Sequence, residues 1–385
     1  MIRITDKSEC CGCSACYASC PYDAIRMDED RLGFQYPVVD MDKCVDCRIC
    51  ERVCAFHPSD KKSQPESFAV RHKDIAEVLD STSGAAFVAF SDYFLDNGGV
   101  VYGAAYEGHF RVVHKRAETA AERDSFRRSK YVQSDMGDVF RQVKADLKSG
   151  LKVLFTGTPC QVAGLKSYIG ASLSENLYLA DIVCHGVPSP EVWKQYVLWQ
   201  EDKYGEKALS AEFRDKSFGW RSAVESFTFS KEKISSKSFN HLFYKHLTLR
   251  QSCGSCPYAD VTRPADLTMA DFWRKDKTCP DFAADQKGCS LVLCHTDKGR
   301  EVLESAAGSL YIASVDLESC LQQNLVQSSA LHPRRDDFEE DFVTGGLEYV
   351  LDKYGDQGWK YKVGSSVRTV YQAVRQTARK ILGRR

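Results

Sequence analysis

The sequence predicts a small α+β domain followed by a larger α/β domain. Two observations predict this arrangement. Eight cysteines fall into two regular runs within the first 54 residues, and from Phe68 onward stretches typical of strands alternate with stretches of helical periodicity. Strands and helices that alternate in this way indicate a sheet covered by helices on its faces.

The first domain is predicted from cysteine spacing. The pattern C-x2-C-x2-C-x3-C occurs twice, at Cys10, Cys13, Cys16 and Cys20 and again at Cys44, Cys47, Cys50 and Cys54. In two-cluster ferredoxins with this spacing, the fourth cysteine of each run binds the other cluster. We therefore expect a ferredoxin-like dicluster domain over residues 1–58. One [4Fe–4S] cluster would be held by Cys10, Cys13, Cys16 and Cys54, and the other by Cys44, Cys47, Cys50 and Cys20.

Two other uses of these cysteines fit less well. Zinc modules usually take their ligands in pairs rather than in triplets. A disulfide framework is typical of small secreted chains, whereas this chain has 385 residues and its start lacks the apolar segment of a signal peptide. Thiolate is a soft ligand suited to iron and sulfide, so two iron–sulfur clusters in a cytoplasmic protein are the expectation.

Composition limits the remaining function classes. Hydrophobic residues make up 43% of the chain, which is enough for two or three domains with a sizeable core. The formal net charge is −1, so no overall attraction to nucleic acid is expected. No apolar run reaches the length that spans a bilayer.

The elements of the first domain are short. Strands are expected at residues 25–27 and 34–36, around a turn at Gly33. The polar residues 59–67, which include one proline, are expected to form a linker.

The second domain is expected to span residues 68–335. Its clearest helix covers residues 84–97, because Phe87, Phe90 and Phe94 fall on one face and two glycines follow. Further helices are expected at residues 137–148, 160–168 and 190–203. Strands are expected at residues 100–105, 110–114, 152–156, 177–183, 210–214, 224–230 and 291–295.

Residues 336–385 are expected to form a helical basic tail. The stretch Trp359–Arg385 contains eight Lys or Arg residues and no acid, with apolar residues along one helical face. Such a helix fits peripheral contact with an anionic membrane or an acidic partner. It equally fits a solvated terminal helix packed lightly on its own domain, which is the commoner case and the reading we favour.

Four cysteines of the second domain lie where ligands gather. Cys160 follows a predicted strand in FTGTPCQ, and Cys184 ends the next strand in DIVCHG, so both belong at the carboxyl edge of the sheet. Cys253 and Cys256 form a CxxC pair. Together the four could hold a third cubane. Alternatively, the pair binds zinc or nothing and the other two are buried thiols.

Three stretches resemble phosphate-binding turns. STSGAAF, SKYVQS and FTGTPCQ each place Ser, Thr or Gly near a helix start, where backbone N–H groups can hold phosphate. Ordinary helix capping is the commoner use of Ser and Thr at such positions. Singly, none of these stretches predicts a nucleotide cofactor.

Taken together, these residues resemble a known family. The stretches are STSGAAF (81–87), GGVVYGAAY (98–106), SKYVQS (129–134), LFTGTPCQVAGLK (154–166), DIVCHGVPSP (181–190), FRDKSFGW (213–220), CGSCPYA (253–259) and ADLTMADFW (265–273). Over roughly residues 1–330 the chain resembles the coenzyme F420 hydrogenase/dehydrogenase beta-subunit family, in its bacterial form with an N-terminal ferredoxin domain. The resemblance implies an α+β ferredoxin-like dicluster domain followed by an α/β flavin-binding domain.

The resemblance also implies cofactors and site residues. It implies that Cys160, Cys184, Cys253 and Cys256 hold a third [4Fe–4S] cluster. It implies an FAD lined by Ser83, Gly84, Ser129, Lys130, Tyr131, Gly157, Thr158 and Pro159. The family usually has glycine where this chain has Ala85, and the added methyl could crowd the cofactor, so FMN or an empty site stays open.

Two residues are assigned catalytic roles on this basis. Lys130 would fix charge on the flavin, and His185, next to Cys184, would supply a proton. The commoner role for such a histidine is a hydrogen-bonded place in the core.

The function expected from this reading is that of an iron–sulfur flavoprotein oxidoreductase. Relatives pass electrons between flavin and clusters, with coenzyme F420 or, in plants, a chlorophyll derivative as partner, and bacterial relatives are often linked to surface-polysaccharide biosynthesis. The partner would be a redox protein or a small hydride donor or acceptor, and a homo-oligomer is compatible with the sequence. The alternative is an electron-transfer subunit without its own substrate site.

Overall fold

The computed structural model of the chain describes residues 1–56, 64–273 and 280–358. Its helices are α1 (Ala15–Ser19), α2 (Ile49–Arg52), α3 (Ile75–Asp80), α4 (Ala86–Asp96), α5 (Ala120–Arg123), α6 (Val139–Lys148), α7 (Pro159–Ile169), α8 (Pro190–Tyr204), α9 (Ser238–Tyr244), α10 (Asp297–Ser305), α11 (Leu317–Cys320) and α12 (Arg335–Lys353). Its strands are β1 (Ile25–Glu29), β2 (Gln35–Val39), β3 (Glu66–His72), β4 (Val100–Glu107), β5 (Arg111–Ala117), β6 (Val153–Gly157), β7 (Leu177–Ile182), β8 (Ser210–Glu212), β9 (Glu225–Thr228), β10 (Lys233–Ser236), β11 (Leu267–Asp271), β12 (Ser290–Cys294) and β13 (Leu310–Ser314).

An eight-stranded mixed sheet forms the centre of the second domain, in the order β13-β3-β12-β11-β7-β6-β4-β5. Strands β4, β6, β7 and β11 are parallel neighbours, while β5 and β12 run antiparallel to the strands beside them. The parallel strands therefore end at one edge of the sheet, at Gly157 for β6, Ile182 for β7 and Asp271 for β11. In α/β sheets ligands gather at this carboxyl edge.

Most predicted elements are confirmed, with ends shifted by a few residues. The helices at α4, α6, α7 and α8 and the strands at β4 to β9 and β12 lie where the sequence pattern places them. The strands β3, β10, β11 and β13 were not predicted. β3 begins at Glu66, inside the stretch 59–67 that was expected to be a linker, and residues 57–63 lie outside the described residues.

The amino-terminal domain contains a hairpin and two short helices. β1 and β2 pair antiparallel around the turn at Gly33. The residues that precede α1 and α2, Ser14 and Arg48, have φ values of 64° and 60° and occupy matching positions in the two cysteine runs. The repeated spacing therefore produces a repeated backbone shape, which is what two similar cluster-binding loops require.

This domain is joined to the second domain through hydrogen bonds. The Ser189 hydroxyl and the Glu191 amide, at the start of α8, both donate to the Leu32 carbonyl, at 2.6 and 3.1 Å. The Tyr17 hydroxyl donates to Asp138 at 3.0 Å. These contacts hold the first domain against the second, and the side chain of Cys11 contacts that of Cys160 across the boundary.

Helix α12 belongs to the core of the second domain rather than to a tail. Phe338, Val350 and Leu351 are buried and pack in the same cluster as Trp193 of α8. The predicted boundary at residue 336 thus falls at the start of a packed helix. The basic stretch 359–385, with both interpretations given for it, lies outside the described residues. Among the helices that the structure describes, none is both long enough and apolar enough to cross a membrane.

Candidate functional site

Three cavities in the structure are each lined by four of the cysteines identified in the sequence. The first cavity lies in the amino-terminal domain and is lined by Cys10, Cys13, Cys16 and Cys54, with Cys11 on the same wall. Its volume, including its opening, is about 360 Å³. Cys54 of the second run thus lies with three cysteines of the first run.

The second cavity has the reciprocal composition. It is lined by Cys20 from the first run and by Cys44, Cys47 and Cys50 from the second, and its volume is about 350 Å³. Cys47 is exposed, whereas Cys50 is buried. The second cavity therefore has one of its cysteines, Cys47, at the surface of the domain.

The third cavity lies at the carboxyl edge of the large sheet. It is lined by Cys160, Cys184, Cys253 and Cys256 and has a volume of about 500 Å³. Cys160 is in the first turn of α7, directly after β6, and Cys184 follows β7. The sheet topology brings these two together, and the loop that carries the CxxC pair closes the cavity.

The first and third cavities are neighbours. Cys11 and Phe56 line both of them. The side chain of Cys11 contacts those of Cys13 and Cys160, one on each side. Cys11, which belongs to neither cysteine run, therefore forms part of the wall between two four-cysteine sites.

Backbone N–H groups point at sulfur in the second and third cavities, among others. The N to Sγ distances are 3.3 Å for Ala24 to Cys20, 3.2 Å for Ile2 to Cys50, 3.4 Å for Gly186 to Cys184 and 3.4 Å for Val187 to Cys253. Hydrogen bonds of this kind favour the ionised sulfur over the thiol. In iron–sulfur proteins they also help to set the reduction potential.

The thiols of the third cavity are held away from water. Burial raises the pKa of Cys253 to about 12 and that of Cys256 to about 11. The neighbouring Cys11 thiol, together with burial, holds the pKa of Cys160 well above its ordinary value. These sulfurs therefore keep their protons unless a metal replaces them, and metal binding would release those protons.

The loop that carries Ser83 and Gly84 lies at the same edge of the sheet. The Ser83 hydroxyl donates to the Cys289 carbonyl at 2.9 Å, and the Gly84 amide donates to the Ser290 hydroxyl at 3.0 Å. A Cβ on Gly84 would lie 2.5 Å from the Val70 carbonyl oxygen and 2.6 Å from the Ser290 nitrogen. Glycine is therefore required here by backbone packing, whatever else the loop binds.

Replacing Gly84 with alanine is expected to destabilise the protein by about 1–3 kcal/mol, because the new methyl would overlap two backbone atoms that cannot turn aside. Thermal unfolding of the purified protein measures the effect. Gly308→Ala is the matched control, because a Cβ at Gly308 meets no atom within 4 Å. Equal melting temperatures for the two variants would contradict the close approach.

Ala85 has a positive φ of 63° and is buried with Val78 and Val88. Its methyl thus packs into a small apolar cluster behind the loop. Glycine adopts this conformation at lower energetic cost than alanine does. A positive φ at position 85 would therefore explain why glycine is expected there from the resemblance. Helix α4, which starts at the next residue, has no side chain capping its first turn.

Ser129, Lys130 and Tyr131 lie beside this loop. The Ser129 amide donates to the Thr82 hydroxyl at 3.1 Å. The Lys130 ammonium donates to the carbonyls of Ser125 and Arg127, at 2.9 and 2.8 Å. The structure therefore brings together two of the three stretches that the resemblance assigns to a flavin.

Burial lowers the pKa of Lys130 to about 7. In the unfolded chain a lysine keeps its proton up to about pH 10.4, so between these values the unfolded state binds more protons. The free energy of unfolding of the wild type, relative to that of Lys130→Met, is therefore expected to rise as pH increases from about 7 to about 10. Melting temperatures across that range measure the difference. Lys130→Arg, which stays charged throughout, is expected to show no such rise. If the difference in melting temperature between the wild type and Lys130→Met did not change with pH, the lowered pKa of Lys130 would be contradicted.

The third stretch, Gly157–Pro159, caps helix α7. The Gln161 side-chain oxygen accepts hydrogen bonds from the Thr158 amide and the Thr158 hydroxyl, both at 3.0 Å. Pro159 and Cys160 line the third cavity. Ordinary capping, the commoner of the two uses considered from sequence, thus accounts for the Thr158 side chain.

His185 is part of the wall of the third cavity. Its two ring nitrogens lie 3.0 Å from the Asn324 side-chain oxygen and 2.8 Å from His246 Nε2. Burial, followed by the neighbouring His246, lowers the pKa of His185. Phe243 contacts both His185 and Tyr131, with ring centroids 5.2 and 5.0 Å apart, so it links this wall to the Ser129–Tyr131 stretch.

Sequence reasoning missed a lysine at the same place. The Lys216 ammonium donates to the carbonyls of Val78 and Ser83, the latter at 3.1 Å. Burial lowers the pKa of Lys216 to about 8, and the surrounding charges include Asp271 and three arginines, namely Arg71, Arg128 and Arg214. Each of these arginines has a carboxylate partner. In the described part of the chain no carboxylate forms an ion pair with Lys216.

A fourth cavity, of about 1170 Å³ including its opening, lies between the two domains. Its wall includes Gly12 and Gln35 from the first domain and Val112, Gln133 and Trp193 from the second. It contains none of the residues that the resemblance assigns to a flavin. Gly12 also lines the first cysteine cavity, so the two cavities are adjacent.

Comparisons with known proteins match both domains. Residues 9–57 match the 4Fe-4S dicluster domain, and residues 150–319 match the family described as the C terminus of the coenzyme F420 hydrogenase/dehydrogenase beta subunit. No curated protein matches the chain. One solved structure that matches is a chain of the F420-reducing [NiFe] hydrogenase complex from Methanosarcina barkeri, at 16% identity and a TM-score of 0.48. That match covers 76% of this chain and 92% of the other, and at this TM-score it supports no functional argument.

The matched regions contain the twelve cysteines that line the three cavities. The dicluster match contains the eight cysteines of the first and second cavities, and the second match contains the four cysteines of the third. Eight thiols in two such sets are the ligands that two cubanes require. The chain therefore carries a 4Fe-4S dicluster domain over residues 9–57 and, over residues 150–319, the C-terminal region of the coenzyme F420 hydrogenase/dehydrogenase beta-subunit family.

Proposed function

We propose that the protein is an iron–sulfur flavoprotein oxidoreductase with three [4Fe–4S] clusters and one flavin, FAD or FMN. The observation that carries the proposal is the series of three four-cysteine cavities. The series begins at the carboxyl edge of the sheet, passes the shared wall at Cys11, and ends at the surface beside Cys47. A flavin exchanges a hydride and releases electrons singly, which joins two-electron chemistry to clusters.

The third cavity fits a cubane. Four thiols from three separate segments line one volume, and two of them accept backbone hydrogen bonds. Among the described residues no three His, Cys, Asp or Glu side chains converge closely enough to hold a single metal ion. Four thiols spread around a volume are the ligand set of a cubane, whereas zinc requires four ligands within about 2.3 Å of one point.

The flavin is proposed to bind at the loop that precedes α4. The first turn of α4 has no side-chain cap, and Lys216 supplies a cation there that pairs with no carboxylate among the described residues. A helix start with a nearby cation is suited to phosphate. Tyr131 and Phe243 lie between this loop and the third cavity. In this arrangement Lys130 contributes charge beside the flavin, and His185 passes a proton through its contact with His246.

A specific observation supports a second candidate, an electron-transfer subunit without its own substrate site. Polar groups assigned to the flavin already have protein partners: Ser83 with Cys289, Lys130 with Ser125 and Arg127, and Thr158 with Gln161. In that case the first cluster accepts electrons from elsewhere and the second delivers them. Both candidates share an exit at Cys47 toward a redox partner protein.

The source of electrons distinguishes the two candidates. The first takes a hydride from, or gives one to, a small molecule such as coenzyme F420 or a nicotinamide. On the family resemblance alone, we extend the first candidate to a reaction in surface-polysaccharide biosynthesis.

The test is to identify the small molecules released from anaerobically purified protein by mass spectrometry. The first candidate predicts about one FAD or FMN per chain. It also predicts bleaching of both flavin and cluster absorbance when a reduced nicotinamide or reduced coenzyme F420 is added. Protein with full iron but no flavin, reduced only by another protein, would support the second candidate and overturn the first.

A further inference from the structure

Arg250 is fully buried where the two domains meet. Its guanidinium donates to the carbonyls of Cys10 and Gln35, at 2.7 and 2.9 Å, and to the side-chain oxygen of Gln133 at 2.9 Å. In the part of the chain that the structure describes, no ion pair joins Arg250 to a carboxylate. A buried cation is unfavourable unless negative charge lies nearby, so the surroundings have to supply that charge.

Two of the cysteine cavities meet at this side chain. Arg250 Nη2 lies 3.6 Å from the Sγ of Cys10, which lines the first cavity. Arg250 itself lines the third cavity. Four thiolates around a [4Fe–4S] core give the assembly a net negative charge, which increases by one when the cluster accepts an electron. The guanidinium therefore contacts a sulfur of the first site directly and lies on the wall of the third.

The local structure is built around the guanidinium. Gly12 has a positive φ of 68°, and a Cβ there would lie 2.8 Å from Arg250 Nη1. The centroid of the Tyr36 ring lies 4.1 Å from the guanidinium carbon, in a cation–π contact. Gly12 thus leaves space for the Arg250 guanidinium beside the loop between Cys10 and Cys13, and the Tyr36 ring packs against the guanidinium.

We propose that Arg250 is the charge partner of the first cluster and raises its reduction potential, so that electrons from the third site are drawn into the amino-terminal domain. In that step one electron leaves the third cluster, which is oxidised, and enters the first, which is reduced; no proton or atom moves. The effect on the first cluster needs only the dicluster domain. Only the origin of the electron rests on the function proposed above.

The test is an EPR-monitored redox titration of the full chain in wild type and Arg250→Gln. Loss of the charge is expected to make reduction of one cluster at least about tenfold less favourable, which corresponds to about 59 mV for one electron. The cluster of Cys20, Cys44, Cys47 and Cys50 is the internal reference, because Arg250 does not line its cavity. Arg123→Gln is the matched control, since Arg123 is also buried but lines none of the three cysteine cavities.

If Arg250→Gln does not fold into stable protein, a second variant tests the same proposal. Gln133→Glu places a carboxylate next to Arg250 Nη1 and compensates its charge while the arginine stays in place. The same cluster is expected to shift in the same direction. Unchanged potentials in whichever of these variants binds full iron would overturn the proposal. Absence of the flavin or of the third cluster would instead overturn the proposed function. The effect of Arg250 on the potential of the first cluster could still be measured in that case.

Discussion

Replacing Cys253 with serine is expected to remove about four iron atoms per chain, the content of one [4Fe–4S] cluster, and to leave about eight. Cys253 is half-buried in the wall of the third cavity, and its sulfur accepts a hydrogen bond from the Val187 amide. Serine would replace a soft thiolate with a hard oxygen ligand that holds iron and sulfide poorly. The other two cavities contain no atom of this residue, so their clusters are expected to remain.

Iron and acid-labile sulfide analysis of anaerobically purified protein measures this change. Cys294→Ser is the matched control, because Cys294 is a buried thiol in β12 that lines none of the cysteine cavities. The control is expected to keep full iron. If both variants contained the same iron as the wild type, the third cluster would be ruled out.

Replacing Lys216 with glutamine is expected to weaken flavin binding at least about tenfold, because a hydrogen bond from a charged group contributes about 1.5–3 kcal/mol. Lys216 is the cation closest to the Ser83 carbonyl, at the uncapped start of α4. The three arginines around it have their charge balanced by carboxylates, so they cannot replace it.

The measurement is the flavin content of purified protein and the dissociation constant for added FAD. Lys233→Gln is the control, because Lys233 lies in the same domain, is half-exposed and pairs with Glu212 and Asp215. The iron content of both variants is expected to stay at the wild-type level. If Lys216→Gln retained all of its flavin, the flavin phosphates would have to bind somewhere other than the start of α4.

The cysteine sites differ in how far sequence could predict them. The eight amino-terminal ligands occur in two local runs, so their spacing alone indicated both the cluster type and the exchange of Cys20 and Cys54. The third site depends on sheet topology. Cys160 and Cys184 could be placed at one edge because each follows a strand, but no local spacing relates them to Cys253, almost seventy residues further on.

Two charged residues were given no role from the sequence. Lys216 lies in the stretch FRDKSFGW and Arg250 precedes the CxxC pair, but only the folded chain shows that Arg250 lies between two cysteine cavities and Lys216 beneath a loop. Likewise β11 was missed because it is a five-residue strand within irregular sequence, and β3 because it follows a polar stretch. The partners of such a strand in the sheet decide its structure more than its own composition does.

The carboxyl-terminal end shows the same limit of local sequence patterns. Because residues after Trp359 are strongly basic, the whole stretch 336–385 was interpreted as a basic tail. In the structure the preceding helix α12 buries Phe338 and Val350 against α8. Its packing partners are more than a hundred residues away, so no local pattern could reveal them.

The most direct test of the account is the iron and sulfide content of protein purified without oxygen, with Mössbauer spectroscopy to identify the clusters. Three sites of four thiols predict about twelve iron and twelve sulfide atoms per chain, all in [4Fe–4S] form. About eight of each would contradict the third site. Colourless protein that contains zinc or no metal would contradict all three.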